Sequence, residues 1–244
     1  MSEVTTEELF REDATLQQCE ATVVVVDDAG IVLDRTVFYP LGGGQAGDAG
    51  TLRSADGRRV DIADTRKHKG LPGAIAHVPA PGADLSWLQP GTRVTASIDA
   101  ERRRSHARFH TATHLLCALV PHPVDGCSIT AGYARLDFHM TEPLDKEELT
   151  AGIARLVAEA RAVRHRWISE QELDANPQLV RSMSVQPPRG LGRVRVLEIE
   201  GVDLQPCGGT HVANTAEVGR VVVTKVEKKS AMTRRVVLGV AEPA

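Results

Sequence analysis

The first hundred residues alternate apolar and polar positions in short runs. Cys19 to Val26 and Ile31 to Phe38 read as two strands joined by a turn at Asp27 to Gly30, and Gly50 to Ile62 reads as a second hairpin turning at Asp56-Gly57. Ala74 to Val78 and Arg93 to Ile98 add two more short strands, with Pro and Gly between them. Tyr39-Pro-Leu-Gly-Gly-Gly-Gln45 interrupts the pattern, because three consecutive glycines carry a large entropic cost inside any regular element. Short strands at this spacing predict a small N-terminal β-barrel that closes near residue 95.

At Asp99 the period changes. Glu101 to Leu119 holds neither Gly nor Pro, and Phe109, Ala112, Leu115, Leu116 and Leu119 are spaced for the buried face of a helix that Pro121 ends. Downstream, the pattern predicts a strand at Ser128 to Phe138 and an amphipathic helix at Asp145 to Val163. A strand at Arg166 to Ser169, a short helix at Gln171 to Met183, and strands at Val194 to Ile199, Gly219 to Val226 and Arg235 to Val240 follow. The expected fold class is α+β, divided into residues 1–95 and 96–244.

Charge modifies this picture locally. A net charge of -3 excludes a wholly basic nucleic-acid binder, so phosphate contacts must come from patches. Two exist: Arg102, Arg103, Arg104 and Arg108, and Lys225, Lys228, Lys229, Arg234 and Arg235. Either could be an ordinary solvated face. Cys19, Cys117, Cys127 and Cys207 lack disulfide-like spacing, the acidic start lacks a secretory signal, and no apolar run is long enough to span a bilayer. The expected location is the cytoplasm, with no membrane association.

Two motifs carry the candidate chemistry. His110-Thr-Ala-Thr-His114 stacks two imidazoles one turn apart on a helix, and Cys207-Gly-Gly-Thr-His211 can curl a thiolate and a third imidazole together through its glycines. Three imidazoles and a thiolate suit zinc. Either motif alone is more often a solvated or core pair, and His106, one turn before His110, is a competing ligand.

These motifs, with Thr36-Val-Phe-Tyr-Pro-Leu-Gly-Gly-Gly-Gln45, Gly47-Asp48, Ala134-Arg-Leu-Asp-Phe138 and Arg234-Arg235, resemble those of the AlaX-type alanyl-tRNA trans-editing proteins and of the editing domain of alanyl-tRNA synthetases, in the same order. The glycine-rich N-terminal half is similar to the medium-length type. One departure stands between Gly126 and Arg135, where relatives commonly carry Gln and this chain has Cys127, Ser128 and Thr130.

The resemblance implies a deacylase for mischarged tRNA(Ala), acting in trans, with one zinc per chain held by His110, His114, Cys207 and His211. A synthetase pocket built for alanine cannot strongly exclude glycine or serine, so a second hydrolytic site must remove both. Gln45 and Cys207 are candidate catalytic residues, as is Thr36, whose hydroxyl could read that of serine; Gly42, Gly43 and Gly44 are the candidate substrate-binding backbone, and Arg104 and Arg235, from the two basic patches, the candidate tRNA contacts. Editing of Ser-tRNA(Thr) on the same scaffold, a non-catalytic tRNA-binding module with structural zinc, and an unrelated zinc hydrolase are the alternatives. The Gly-Gly-Gly-Gln segment disfavours the first, and the last lacks the Glu that would follow His110 in a zinc-protease helix, where Thr111 stands.

Overall fold

The computed structural model describes residues 4–183, 186–187, 189–190 and 192–241. The chain divides into two compact units, Met1–Gly42 with Ala46–Arg103, and Gly43–Gln45 with Arg104–Ala244.

The first unit begins with β1 (Glu7–Glu8), followed by β2 (Gln18–Asp27), β3 (Gly30–Leu33), β4 (Arg35–Thr36), β5 (Gly50–Arg53), β6 (Arg59–Lys67), β7 (Ile75–Pro79) and β8 (Arg93–Ile98). Six of these strands close a barrel in the order β2-β3-β7-β6-β5-β8. Alternation drives the closure: on β6, Val60, Ile62 and Thr65 are buried while Arg59, Asp61 and Arg66 face water. The return strand expected over Ile31 to Phe38 divides in two, because Arg35–Thr36 leaves the barrel to pair in parallel with β1. A buried ion pair locks this unit. Arg103 grips Asp48 and also donates to the carbonyls of Val37 at 2.6 Å and Ala14 at 3.0 Å, while Asp48 accepts the Tyr39 N–H at 2.7 Å. Removing one partner of such a pair strands a buried charge, at a cost of about 3–5 kcal/mol.

Helix α1 (Ala100–Leu119) follows. In the second unit come β9 (Val124–Ile129), β10 (Ala134–His139), α2 (Lys146–Ala158), β11 (Val163–Ser169), α3 (Glu170–Ala175), β12 (Arg193–Ile199), β13 (Asp203–Pro206), β14 (Val221–Lys228) and β15 (Thr233–Val240). They form an antiparallel sheet in the order β14-β15-β10-β9 and a smaller one in the order β11-β12-β13. Ala112, Leu115 and Leu116 of α1 share one core with Leu136 and Phe138 of β10, Leu149 and Ile153 of α2, and Leu197 and Ile199 of β12.

Three further expected elements differ from those observed. Ser128 to Phe138 is a hairpin rather than one strand, since the Thr130 hydroxyl accepts the N–H groups of Gly132 and Tyr133 and turns the chain. The second helix stops at Ala158, short of Ala160 with its positive φ of 49°. The third ends at Ala175, before Pro177 opens a 3-10 turn at Pro177–Leu179. Among the described residues no helix is long and apolar enough to cross a membrane.

Candidate metal centre

The spacing of four on α1 puts the His110 and His114 rings on one face, with centroids 5.6 Å apart. Strand β13 approaches that face. Asp203 lies opposite Ile199 and Gln205 opposite Leu197, and the Cys207 N–H donates to the Arg195 carbonyl at 3.1 Å, continuing the register. Residues 203, 205 and 207 therefore share the side of the sheet that carries Leu197 and Ile199 into the core. Beyond Cys207 the chain curls back, and the Cys207 sulfur comes 3.2 Å from Nε2 of His211 and 3.4 Å from Nε2 of His110. The donor atoms of His110, His114, Cys207 and His211 lie within 4.8 Å of one another, and together they could hold a metal ion. His106 is fully buried and stands outside this group.

Each imidazole has its other nitrogen engaged. Nδ1 of His110 meets Oε1 of Gln45 at 2.8 Å, Nδ1 of His114 meets Asp203 at 2.7 Å, and Nδ1 of His211 meets the Thr111 hydroxyl at 3.3 Å. A proton held on Nδ1 leaves the Nε2 lone pair for a cation, which is how partners outside a metal's own ligands fix tautomer and ring angle. Asp203 is itself held by Gln205 Nε2 at 2.9 Å, with Arg181 3.8 Å away. The loop is fixed by Arg195, whose guanidinium donates to the carbonyls of Cys207 at 3.0 Å and Gly209 at 3.1 Å.

Electrostatics separate the thiols. Burial opposes a thiolate at Cys207, but the His110 and His211 imidazoles beside it outweigh that and hold its pKa well below the usual value. Burial without comparable compensation pushes Cys117 and Cys127 up to about 12, so both stay protonated. Burial likewise disfavours a charged His114, yet Asp203 and Cys207 win and raise it to about 10, whereas burial and the neighbouring His110 bring His211 down to about 3.

Gly43–Gln45 belongs to this unit. The segment lies along the free edge of β9, where Gly44 accepts the Ile129 N–H at 2.7 Å and Gln45 bridges Ile129 in parallel. Gly44 has φ +84°, and a Cβ there would sit 2.8 Å from the Cys127 sulfur, so no other residue fits. Gln45 is fully buried. Its amide serves His110, the Thr210 N–H at 3.1 Å and the Thr210 hydroxyl at 3.0 Å. Gly209 packs so tightly on the His110 ring that any Cβ would overlap it.

The remaining sequence-predicted residues are placed elsewhere. Thr36 is buried in the first unit, where its hydroxyl meets His77 Nε2 at 2.8 Å and accepts the Phe38 N–H at 3.0 Å. Arg104 is exposed, while Arg235 is held by Asp137 through two bonds of 2.7 and 2.8 Å. Gly42 belongs to the first unit, and its carbonyl accepts the Tyr39 hydroxyl at 2.9 Å. Sequence reasoning missed Asp203, Arg195 and Arg181. For Asp203 a signal existed, in the polar residues at every second position leading to Cys207.

Comparison with known proteins follows the same division. Residues 194–237, which include the Cys207–His211 loop, match the family described as threonyl and alanyl tRNA synthetase second additional domain, and residues 3–102 match tRNA synthetases class II (A). The Cys207–His211 loop is thus set in a domain type that accompanies aminoacyl-tRNA synthetases. The chain is 35% identical over 240 residues to the alanyl-tRNA editing protein AlaX-M of Methanosarcina barkeri, covering 94% of this chain and 97% of that protein. It is 31% identical over 236 residues to AlaX-M of Saccharolobus solfataricus, covering 95% and 97%. It is also 33% identical over 250 residues to alanine–tRNA ligase of Pyrococcus furiosus, matching 98% of this chain but 26% of the ligase. The chain belongs to the AlaX-M family of alanyl-tRNA editing proteins.

Proposed function

We propose that this chain is a trans-acting hydrolase that deacylates mischarged tRNA(Ala), releasing serine or glycine, with one zinc ion at the His110, His114, Cys207 and His211 cluster. Alanyl-tRNA editing proteins are deacylases, and relatives of matching length carry that name. The observation that carries the reading is the preset donor set: three imidazoles, each anchored through Nδ1, around a thiol that favours its thiolate. Zinc bonds of about 2.0–2.1 Å to nitrogen and 2.3 Å to sulfur give a tetrahedral N···S edge of roughly 3.5 Å. The two sulfur-to-nitrogen distances of 3.2 and 3.4 Å match that edge.

When bound, the ion supplies Lewis-acid character for an ester carbonyl or an attacking water. The chain supplies the rest. Gln45 holds His110 in one tautomer, and Asp203 does the same for His114. The backbone of Gly42, Gly43 and Gly44 offers close approach to the aminoacyl ester. Arg104, exposed and without an ion pair among the described residues, is the more available tRNA contact, while Arg235 already serves Asp137.

Selectivity against alanine requires a group that reads the serine hydroxyl, since alanine is the smaller substrate, and Thr36 is the candidate. Burial lowers the pKa of His77 to about 4, and Nδ1 of His77 donates to the Ile31 carbonyl at 2.9 Å. Nε2 is therefore an acceptor. The Thr36 O–H donates to it, one oxygen lone pair takes the Phe38 N–H, and one is unused among the described residues.

The decisive experiment presents purified protein with Ser-tRNA(Ala), Gly-tRNA(Ala), Ala-tRNA(Ala) and Ser-tRNA(Thr), before and after chelation. Release of serine and glycine from tRNA(Ala), sparing alanine and lost on chelation, is expected. Turnover of Ser-tRNA(Thr) alone would move the activity to the other tRNA, and binding without turnover would reduce the protein to a tRNA-binding module. Thr36→Val should slow serine release more than glycine release. Equal losses would assign Thr36 to barrel stability.

A further inference from the structure

The side of the small sheet that carries Cys207 does not end there. Trp167 of β11 is the register partner of Arg195, and Arg195 is in turn the partner of Cys207. Directly opposite residues in antiparallel strands share a face, so Trp167, Arg195 and Cys207 form one row across three strands. At about 4.8 Å per strand, Trp167 and Cys207 are roughly 10 Å apart along the backbone. Arg195 anchors the Cys207 end of this row, since its guanidinium holds the carbonyls of Cys207 and Gly209.

The row ends in an uncommon pair for this chain, which has two Trp in all. The ring of Trp167 is half-buried, and the guanidinium carbon of exposed Arg193 lies 4.3 Å from the ring centroid. Among the described residues Arg193 has no ion pair. Arg166, beside Trp167 on β11, instead lies against Glu172 and Glu198. Stacking on Trp167 flattens the Arg193 side chain against the sheet and leaves its positive charge unneutralised. A planar cation fixed on an indole is the surface on which an unpaired nucleobase stacks while its phosphate finds a counter-charge.

We propose that Trp167 and Arg193 form a stacking platform for a base at the single-stranded 3′ end of RNA, set one row along the sheet from the ligand cluster so that the terminal ribose reaches that cluster. The proposal rests on the editing reading and adds to it the part of the substrate that the protein grips nearest the metal. An edge-strand packing role is the competing account, and it demands no effect on nucleotide binding.

Two measurements decide. In a Trp87→Phe background Trp167 is the sole indole, and its fluorescence is titrated with synthetic 5′-ACCA-3′ RNA and with an abasic backbone of the same length. Quenching by ACCA and not by the abasic strand is expected; equal or absent quenching overturns the platform, whatever the protein hydrolyses. In steady-state deacylation, Trp167→Leu should raise KM for aminoacyl-tRNA about 5- to 100-fold, the range that stacking one base supplies. Metal content and kcat should be unchanged, and Trp167→Tyr should recover most of the loss. KM within twofold of wild type, or a fall in kcat with metal loss that Tyr does not repair, would overturn the proposal in favour of packing. If wild-type protein deacylates no tRNA, the editing reading falls and the quenching result alone judges the platform.

Discussion

Asp203→Asn tests how much of the metal centre is held from outside its own ligands. The carboxylate is buried, 2.7 Å from His114 Nδ1, and braced by Gln205. Asn keeps the shape and one acceptor but removes the charge that orients and enriches the His114 imidazole. Loss of such a partner lowers metal affinity about 10- to 100-fold, equivalent to about 1.4–2.8 kcal/mol. An opposing effect limits the loss. Asp203 also helps hold a proton on His114, raised to about 10 in the metal-free protein, and that proton competes with the ion. The variant's deficit should therefore be largest at high pH, where proton competition no longer handicaps the wild type. The assay is competition of metal-loaded protein against a chelator of known affinity, at several pH values, with thermal unfolding as a check on the fold. An affinity within twofold of wild type at every pH, with no deficit growing as the pH rises toward the His114 pKa of about 10, in a folded variant, would refute the assignment of Asp203 as the group that sets His114.

Gly209→Ala should displace the His110 ring and cost more than 10-fold in metal affinity while leaving the barrel unit folded, because its Cβ would overlap that ring; full metal retention by chelator competition would mean that the loop moves freely. His77 predicts a pH dependence of the barrel unit. Its folded pKa is lowered from 6.5 to about 4, so the unfolded chain takes up the proton first; the stability is complete above pH 6.5, falls between 6.5 and 4, and is about 3 kcal/mol lower below that. Denaturant midpoints in His77→Gln that follow the wild-type pH slope would exclude His77 as the source. Arg104→Ala should weaken tRNA binding and flatten its salt slope by about one phosphate contact, and Arg235→Ala should do so less because Asp137 already holds it; an equal or larger loss in Arg235→Ala would show that the Asp137 pair opens for phosphate.

Elements whose burial follows a simple period were legible in the sequence. The barrel strands alternate, α1 has its apolar stripe, and the two ligand motifs are local enough that backbone geometry alone brings each pair of ligands together. What was not legible depends on register. Strand β13 is four residues long and carries Asp203 and Gln205 inward, so its alternation reads as a polar loop until Cys207 is seen continuing it beside β12. The basic clusters misled for a related reason. Arg103 and Arg234 sit in charge-rich stretches, yet Arg103 is buried on Asp48 and Arg234 is buried among main-chain carbonyls, including those of Glu142 and Ser230. A run of arginines reports charge, and only the partners reveal which of them is left to meet a ligand.

The same distinction applies to Gln45. An amide has no proton to exchange near neutral pH, so general acid or base work is closed to it. Its oxygen takes the His110 Nδ1–H and the Thr210 N–H, and its nitrogen gives to the Thr210 hydroxyl, which leaves one amide hydrogen uncommitted. A carboxylate in its place could bond the Thr210 hydroxyl only by reversing that bond and would add a negative charge beside His110, and a hydrocarbon would leave His110 free to flip. Gln45 is the side chain that fixes the orientation of both motifs at once, tying the HxxxH helix and the CxxxH loop to the segment lying along β9. Its place at the end of the glycine run follows from that role, because Gly44 lets the backbone pass over Cys127 at a positive φ and so aims the next residue at His110.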